Sequence, residues 1–524
     1  MGGNGNGFHW FIVLLARFRM TKHDFTVFER VDGTSSNQLS ITHKFDMILQ
    51  IYFNVWMKSW IDDEFKESKF SDERLGKRLC KIVKQLFDKM GNSIPMACQD
   101  WANTKAAYRF FSNPKLSETE ILDGHFHSTK SRFDATAGPV LVLHDTTEIT
   151  YKRSKPQSIG YTRKCGNRKG LFDQDIKRAQ CGVLMHSSLV LTTDGLPLGF
   201  SAKKLWNRDK FKGVKAIYRK KNATRIPIEE KESFRWIEGV RNTNNLLKEP
   251  ERLVHIGDRE ADIYELFHQS QQDNSNYLVR IKVDRRTEDE TTTINQVLKK
   301  AKVRGQHKVT YFDKKGLKVD ATLEIKFERI TIKPSFGSKA KNYPDITAVF
   351  IHAKEISNTG GDREPIDWKL ITNLSVKTVA DAAEKLHWYS LRWKIEIFFK
   401  ILKSGCKVEE AKLRTAEALC KLIAIYSIMS WRVFWMTMLN REGQSLSPKL
   451  ALSELELRIL DQLKPDKKIT KNTLSKYILK IAKLGGYLAR SSDPPPGNNV
   501  LWRGLQRLTE IQIGVEIGMK LVGN

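Results

Sequence analysis

The chain lacks the features that mark membrane, disulfide-rich and zinc-finger proteins. No apolar run reaches about 18 residues, so the sequence predicts no membrane-spanning segment. The N-terminal apolar run from Phe8 to Ala16 contains a histidine and has no convincing signal-peptide cleavage site. The six cysteines form no CxxC pair and no zinc-site spacing, which favours reduced structural cysteines in a cytoplasmic protein.

Acidic residues are scarce relative to basic ones. The 524 residues include 89 Lys and Arg against 60 Asp and Glu, a formal net charge of +29. Such an excess indicates a polyanionic partner, for which nucleic acid is the first choice and an anionic membrane surface the second. A hydrophobic fraction of 40% is enough to bury sizeable cores and argues against wholesale disorder. At about 150 residues per domain, the length suggests three or four domains.

The first 56 residues differ from the rest of the chain. They carry five Lys or Arg and four Asp or Glu, and they show no clear amphipathic period. Regular patterning begins directly after them. We therefore expect residues 1–56 to be an extension outside the functional protein, with the native start at Met57.

Helical patterning follows from Ser71 to Phe111. Apolar residues recur at intervals of three and four, a break occurs at residues 91–93, and a second helical stretch carries Lys105, Tyr108 and Arg109. Basic and aromatic residues on a small helical domain suit DNA binding, although two helices joined by a turn are common in unrelated proteins.

Strand patterns dominate the middle of the chain. Continuous apolar runs predict strands at 140–143, 188–191, 253–256 and 277–283, and alternation from 307 to 373 predicts a mostly antiparallel β segment. One long helix is predicted from Thr378 to about Gly405, and the remainder of the chain is also helical. Residues 151–180 and 201–222 each hold nine Lys or Arg. We expect these two blocks to be solvated loops that form a basic surface for phosphates.

Three acidic residues stand out from these patterns. Asp145 follows the run VLVLH, Asp258 follows the run LVHIG, and Glu396 lies inside the long predicted helix. Each has an ordinary structural explanation when taken singly. Asp145 fits a turn at a strand end, Asp258 fits a helix N-cap, and Glu396 fits i,i+4 pairing on a solvated helix face.

The residues that share a helix face with Glu396 favour a functional role over these structural explanations. At about 100° per residue, one arc of about 80° holds a phenol, three cations and a single carboxylate: Tyr389, Arg392, Glu396, Lys400 and Lys403. A separate apolar stripe, which can seat the helix on a sheet, consists of Leu391, Ile395, Phe398 and Leu402. A solvated helix face would explain the charges on this helix. It would not explain why two further acidic residues follow predicted strands in a protein whose net charge is +29.

The functional interpretation is metal-assisted phosphoryl transfer. Hard cations such as Mg²⁺ prefer oxygen ligands and retain water and substrate phosphate in their coordination shell. Two such ions can stabilise the attacking and leaving oxygens of an in-line displacement. The sequence therefore predicts that Asp145, Asp258 and Glu396 ligate metal, while the neighbouring Arg and Lys side chains hold a DNA backbone.

These residues also carry a resemblance to a known family. The chain resembles bacterial DDE transposases, specifically the group typified by the IS-four and Tn-five elements. Their helix signature, Y-(2)-R-(3)-E-(6)-K, is matched at every spacing by Tyr389, Arg392, Glu396 and Lys403. Further similar segments, from about Met57 to the C-terminus, are AAYRFF at 106–111, HDTTE at 144–148, DREAD at 258–262, LGGYL at 484–488 and LW at 501–502.

The resemblance implies an α/β fold built on a ribonuclease-H-like catalytic core. The implied domains are a helical DNA-binding domain at 57–125, a DDE catalytic domain at 126–412 with an antiparallel β insertion at about 284–373, and a helical dimerisation domain at 413–524. The triad of Asp145, Asp258 and Glu396 would bind Mg²⁺, for which Mn²⁺ can substitute. Cut-and-paste transposition through a DNA hairpin would follow, in a homodimer that pairs two ends and catalyses in trans.

Other residues are expected to contact DNA. Near the scissile bond they are Tyr389, Arg392, Lys400, Lys403 and, by resemblance, Arg280. At the end sequence they are Lys105, Tyr108 and Arg109. Trp368 lies 21 residues before Tyr389, and the family keeps a tryptophan at this offset to hold a flipped base. A strand aromatic packed on its neighbours is the alternative for Trp368.

The function predicted from the sequence is a DNA transposase. It would act on double-stranded DNA, both the terminal inverted repeats of its own element and the target, in the cytoplasm and nucleoid of a prokaryote, with no membrane partner. Two alternatives remain open at this point. One is a catalytically inert DNA-binding remnant or inhibitor, and the other is a hydrolytic nuclease that lacks strand transfer.

Overall fold

A computed structural model describes residues 60–169, 175–208, 226–312, 318–335, 343–357, 364–442, 447–464, 472–491 and 493–522. These residues belong to one compact unit. The expected extension at 1–56 lies outside the described residues.

Helices form both ends of the described chain. In chain order they are α1 (Trp60–Phe65), α2 (Glu73–Asp88), α3 (Ile94–Cys98), α4 (Trp101–Phe111), α5 (Glu118–Asp134), α6 (Phe234–Leu247), α7 (Tyr264–Gln272), α8 (Ile294–Lys300), α9 (Val379–Ser390), α10 (Lys394–Lys400), α11 (Ala416–Glu442), α12 (Glu454–Leu463), α13 (Leu474–Leu484) and α14 (Asn498–Val522).

One mixed sheet contains the ten strands of the described residues. They are β1 (Val140–Thr150), β2 (Tyr161–Lys169), β3 (Asp175–Thr192), β4 (Pro197–Trp206), β5 (Leu253–Gly257), β6 (Asn276–Arg280), β7 (Gly305–Phe312), β8 (Lys318–Ile332), β9 (Ile346–Glu355) and β10 (Asp367–Thr372). Their order is β2-β3-β1-β5-β6-β10-β9-β8-β7, and β4 pairs with β3. The mixed sheet with helices packed on it is an α/β architecture, the fold class that the sequence predicted.

The antiparallel segment predicted at 307–373 is present, but it does not form a separate sheet. Strand β10 pairs antiparallel with β6 of the core, with Leu370 opposite Arg280, and β9, β8 and β7 follow outward. The segment therefore extends the core sheet, because β6 offers a free edge that a returning strand can pair with.

The two basic blocks differ from the solvated loops predicted for them. Residues 161–169 and the beginning of β3 form a hairpin, β2 to β3, and the second block begins inside β4. The prediction of loops was wrong here because charge density was taken to exclude a strand, whereas a sheet edge tolerates basic side chains. The rest of the second block, 209–225, lies outside the described residues.

The N-terminal helices are tied to the core through a buried carboxylate. Glu64 on α1 accepts hydrogen bonds from Arg132 on α5 at 2.9 and 3.0 Å, and it also contacts the ring of His125. Burial alone would raise the pKa of Glu64, but Arg132 and His125 outweigh burial and hold this pKa at about 2. His125 also accepts a hydrogen bond from the backbone N–H of Phe200 on β4.

Helix α11 is the most buried helix near the C-terminus. Its segment Ala416–Leu439 is long and apolar enough to cross a bilayer, which the sequence analysis did not expect, but its residues from Lys421 to Leu439 are all buried inside the protein. It packs against α5 and β4 and so behaves as a core helix. The five cysteines outside residues 164–179 are free thiols.

The long helix predicted from Thr378 to about Gly405 is helical throughout but not uniform. A 3₁₀ turn at Leu391–Trp393 separates α9 from α10, and a π-helical turn at Ile401–Gly405 follows α10. The predicted apolar stripe is buried nonetheless. Its four members, Leu391, Ile395, Phe398 and Leu402, are 8% exposed or less. Burial of this stripe turns the polar face, with Glu396, toward the part of the sheet where β5 ends and its pairing with β1 stops.

Candidate active site

The two predicted aspartates lie at matching positions relative to neighbouring strands. Asp145 lies within β1 rather than in the strand-end turn that the sequence suggested, because β1 continues alongside β3, and Asp258 lies directly after β5. Strands β1 and β5 are parallel, and the last pair in their register is Leu143 opposite Ile256. Asp145 and Asp258 each follow this pair by two residues. Because parallel strands run to the same edge of a sheet, both carboxylates emerge there.

A backbone N–H donor orients each aspartate. Asp145 accepts a hydrogen bond from the N–H of Thr146 at 2.7 Å. Asp258 accepts one from the N–H of Glu260 at 2.8 Å and so caps the 3₁₀ turn at Arg259–Ala261. The capping role that the sequence suggested for Asp258 is therefore present, and it fixes the carboxylate at the cleft.

Arg392 bridges the carboxylates of Asp145 and Glu396. Its guanidinium lies 3.4 Å from Asp145 and 3.1 Å from Glu396, one turn away on the same helical segment. The side chain of Arg392 is only 13% exposed. The guanidinium thus offsets the repulsion between two carboxylates that the fold brings together.

One open cleft of about 570 Å³ collects most of the predicted site. Its predicted members are Asp145, Asp258, Glu396, Arg392, Lys400 and Lys403. It also contains residues that the sequence analysis did not select, namely Thr146, Thr147, Glu260 and Phe399. The motifs HDTTE and DREAD already held the first three of these, but nothing in the sequence showed which of their side chains face the cleft.

Burial makes the carboxyl of Asp145 a weaker acid than an ordinary aspartic acid. Removal from water raises the pKa of this carboxyl to about 7; Asp258 and Glu396 add to the rise, while the Thr146 N–H and Arg392 oppose it. At neutral pH the site therefore holds a carboxyl that a nearby cation would fully ionise.

The donor set suits a hard divalent cation, although the carboxylates do not form a closed ligand cage. All three predicted ligands are carboxylates, the oxygen donors that Mg²⁺ and Mn²⁺ prefer. Within the part of the chain that the structure describes, no three His, Cys, Asp or Glu side chains are grouped closely enough to hold a metal. Arg392 stands between two of the three carboxylates, and its contacts explain their separation.

Tyr389, Trp368 and Arg280 lie beside the cleft rather than in its lining. The rings of Tyr389 and Trp368 meet edge to face with centroids 5.2 Å apart. Tyr389 is buried, at 5% exposed, which departs from the polar face expected for it. Arg280 donates to the carbonyl of Asp367, the neighbour of Trp368, at 2.9 Å. The three residues therefore form one group next to the helix of Glu396.

The predicted N-terminal residues do not line the cleft, but one of them shares a second cavity with a residue of the cleft. Lys105, Tyr108 and Arg109 are exposed on α4. Tyr108 and Lys403 both line a cavity of about 810 Å³, and Lys403 also lines the cleft. Trp101, which the sequence analysis missed, is 77% exposed on the same helix, with the ammonium of Lys105 6.0 Å from its ring.

Buried histidines beneath the cleft were also missed. His144 and His255 are joined at 2.9 Å, Ser188 meets His144 at 2.9 Å, and His255 meets the amide oxygen of Asn244 at 3.0 Å. Burial lowers the pKa of His144 to about 3 and that of His255 well below its usual value, so the rings are neutral. A histidine inside an apolar strand run, as in VLVLH and LVHIG, was the available signal.

Two segments match known protein families. Residues 57–116 match the model for the transposase DNA-binding family, and residues 236–431 match the model for the transposase DDE domain. The first segment contains Lys105, Tyr108 and Arg109, and the second contains Asp258 and Glu396. Together the matches support a DNA-binding, DDE-type transposase.

The raised pKa of Asp145 predicts a stability effect. The folded pKa of about 7 exceeds the ordinary value of 3.8, so the folded state retains a proton that the unfolded state loses between these values. Stability should therefore fall as the pH rises toward 7, by at most about 4 kcal/mol at 1.4 kcal/mol per pH unit. Without divalent metal, Asp145→Asn should raise the melting temperature at pH 8 and change it little below pH 4.

The matched control for this measurement is Asp194→Asn, in the exposed turn between β3 and β4. It should melt like the wild type at both pH values. A variant at Asp145 that is less stable than the wild type at pH 8 would show that the ionised carboxylate stabilises the fold, contrary to the prediction.

Proposed function

We propose that this DNA transposase belongs to the group typified by the IS-four and Tn-five elements. In this proposal it binds the terminal inverted repeats of its element, cleaves them with Mg²⁺ through a hairpin intermediate, and joins the element to target DNA. The observation that carries the proposal is the single cleft shared by Asp145, Asp258, Glu396 and three cationic side chains. The match to the DDE domain, which contains two of the three carboxylates, supports it.

In this proposal the carboxylates bind metal and the cationic side chains bind phosphates. Asp145, Asp258 and Glu396 would hold the metal, which would activate water or a DNA hydroxyl and stabilise charge on the scissile phosphate. Arg392, Lys400 and Lys403 would bind the phosphates on either side. Lys400 and Lys403 suit this role because, among the described residues, neither forms an ion pair with a carboxylate.

Arg392 has a second task in this proposal. Without DNA it neutralises Asp145 and Glu396, and a phosphate in the cleft competes for the same guanidinium. Moving the guanidinium to a phosphate would leave the two carboxylates available to a cation. Binding of the DNA end and loading of metal would then favour each other.

The path of the DNA end would run from α4 to the cleft. Trp101, Lys105, Tyr108 and Arg109 give α4 an exposed basic and aromatic surface. The cavity between Tyr108 and Lys403 would receive the backbone of the bound end. A homodimer would pair two ends, with 413–524 as the dimerisation domain, and the protein would act in the cytoplasm at the nucleoid.

The central test is cleavage of DNA that carries the terminal inverted repeats. Asp145→Ala, Asp258→Ala and Glu396→Ala should each abolish nicking, because each removes a metal ligand, while gel-shift affinity stays within several-fold. Glu251→Ala is the control, since Glu251 lies before β5 at the opposite edge of the sheet. Cleavage that persists in any triad variant would remove that residue from the site.

Pre-cleaved ends and a target plasmid separate the alternatives to the proposal. A transposase joins the ends to the plasmid. A nuclease without strand transfer cuts intact ends but leaves pre-cleaved ends unjoined, and an inert remnant binds the ends without cutting them.

Lys403 should contribute one phosphate contact. Lys403→Ala should lower the slope of log affinity against log salt by about one unit for DNA carrying the element end. Lys248→Ala is the matched control, because Lys248 is exposed at the end of α6, away from the cleft. Equal slopes for the Lys403 variant and the wild type would show that Lys403 is a solvated surface residue that contacts no phosphate.

Trp368 should act after the first nick. Extrusion of a base at a hairpin end requires a stacking surface, which is worth about 1–3 kcal/mol per base. Trp368→Ala should leave first-strand nicking largely intact and slow hairpin formation or opening. Trp368→Phe, which retains a ring, should recover part of the rate.

An end with an abasic site in place of the flipped base should reduce the defect of Trp368→Ala, because no base then needs a stacking partner. Fluorescence of 2-aminopurine at that position reports the extrusion directly. Wild-type hairpin kinetics in Trp368→Ala would assign Trp368 to packing against Tyr389 alone.

A further inference from the structure

We propose that Arg235 is a positioning residue that sets the spacing between the two aspartates of the cleft. The inference rests on the proposed function, in which both aspartates hold metal. Arg235 is the second residue of α6, and among the described residues it forms no hydrogen bond or ion pair with either carboxylate. It acts through the two residues whose N–H groups orient them.

Arg235 joins those two residues to each other. Its Nε donates to the hydroxyl of Thr146 at 3.0 Å, and its Nη2 donates to the carboxylate of Glu260 at 2.7 Å. Thr146 and Glu260 are the residues whose backbone N–H groups bind Asp145 and Asp258. One guanidinium therefore spans both aspartate-bearing segments.

The sheet alone does not fix this spacing. The pairing of β1 with β5 ends at Leu143 and Ile256, and β5 itself ends at Gly257, whereas β1 continues to Thr150 alongside β3. Both aspartates lie beyond the last residues that β1 and β5 pair with each other, although Asp145 still pairs with Ser187 on β3. The planar fork of an arginine can bridge two acceptors in a fixed geometry, which a lysine ammonium does not do.

The remaining contacts of Arg235 hold the fork in place. Its Nη1 donates to the backbone carbonyl of Glu232 at 2.9 Å, so all three guanidinium nitrogens have acceptors. Arginine can only donate hydrogen bonds, so the Thr146 hydroxyl accepts from Arg235. The same hydroxyl then donates its own hydrogen bond to Nδ1 of His186, 2.9 Å away. His186 is buried on β3 and serves as the acceptor that ends this chain of hydrogen bonds.

A direct contact between Arg235 and DNA is the competing explanation. The side chain of Arg235 is only 12% exposed, and each of its three guanidinium nitrogens already donates to an acceptor within the protein. Its burial and these internal bonds disfavour a direct contact with a phosphate. Lys400 and Lys403, in contrast, line the cleft without carboxylate partners among the described residues.

The test measures metal binding by the full chain without DNA. Mn²⁺ is titrated and the free ion is followed by electron paramagnetic resonance, for the wild type, Arg235→Lys, Thr146→Val and Asp145→Ala. Arg235→Lys keeps the charge and loses the bridge. It should weaken Mn²⁺ binding at least about tenfold, the lower range for residues that orient metal ligands. Thr146→Val, which keeps the N–H that binds Asp145, should weaken binding in the same direction.

The matched control is Arg252→Lys. Arg252 is comparably buried, at 18% exposed, and it also bridges separate segments through Thr136, Gly138 and Glu249. It lies before β5, at the opposite edge of the sheet. Its substitution should leave the Mn²⁺ affinity within twofold of the wild type.

The affinity for DNA tests independently whether Arg235 contacts a phosphate. The salt dependence of gel-shift affinity should be unchanged in Arg235→Lys and in Arg235→Ala, because Arg235 holds no phosphate. A slope lowered by about one unit in Arg235→Ala would overturn the positioning role in favour of a phosphate contact.

The outcomes separate the inference from the proposed function. Wild-type Mn²⁺ affinity in Arg235→Lys, with loss of binding in Asp145→Ala, would overturn the positioning role alone. Equal binding in the wild type and Asp145→Ala would overturn the metal site and the inference together. Thermal melts identify any variant that fails to fold, and if Arg235→Lys does so, the Thr146→Val titration decides.

Discussion

The parallel pairing of β1 with β5 is the constraint on which the rest of the site depends. Both strands are fully buried over their paired residues, from Val140 to Leu143 and from Leu253 to Ile256, so a shift of register would move apolar side chains out of the core. The register that packs the core also brings Asp145 and Asp258 to one edge. The stability of the sheet and the placement of both aspartates at one edge therefore depend on the same contacts.

Charge at this edge is balanced locally rather than by solvent. Four carboxylates line one cleft, and Arg392 bridges two of them, Asp145 and Glu396. The burial that raises the pKa of Asp145 to about 7 also strengthens its attraction to any cation that enters. Such a site is costly to keep without a ligand, and this cost is a common property of sites that bind charged ligands. The large positive charge of the chain elsewhere supplies the attraction for a polyanion.

Local patterns in the sequence determined the components of the protein. The apolar runs predicted β1 and β5, the period-two alternation predicted the antiparallel strands β7 to β10, and the helical arc predicted that Arg392, Glu396, Lys400 and Lys403 share a face. These predictions succeeded because they depend on neighbours within a few residues, where side-chain periodicity follows directly from backbone geometry. Net charge likewise indicated nucleic acid without any knowledge of the fold.

Only the tertiary structure decided how these components meet. It joined the antiparallel segment to the core sheet through β6 and β10, made a hairpin of residues predicted as loops, and buried Tyr389 against Trp368. It also brought Arg235 between Thr146 and Glu260, 89 and 25 residues away in the chain. No local pattern encodes such contacts, because strand pairing and buried hydrogen bonds depend on which distant segments compete for the same edge or donor. The residues proposed to bear the chemistry could be identified from the sequence, whereas the residues that contact them became visible only in the folded chain.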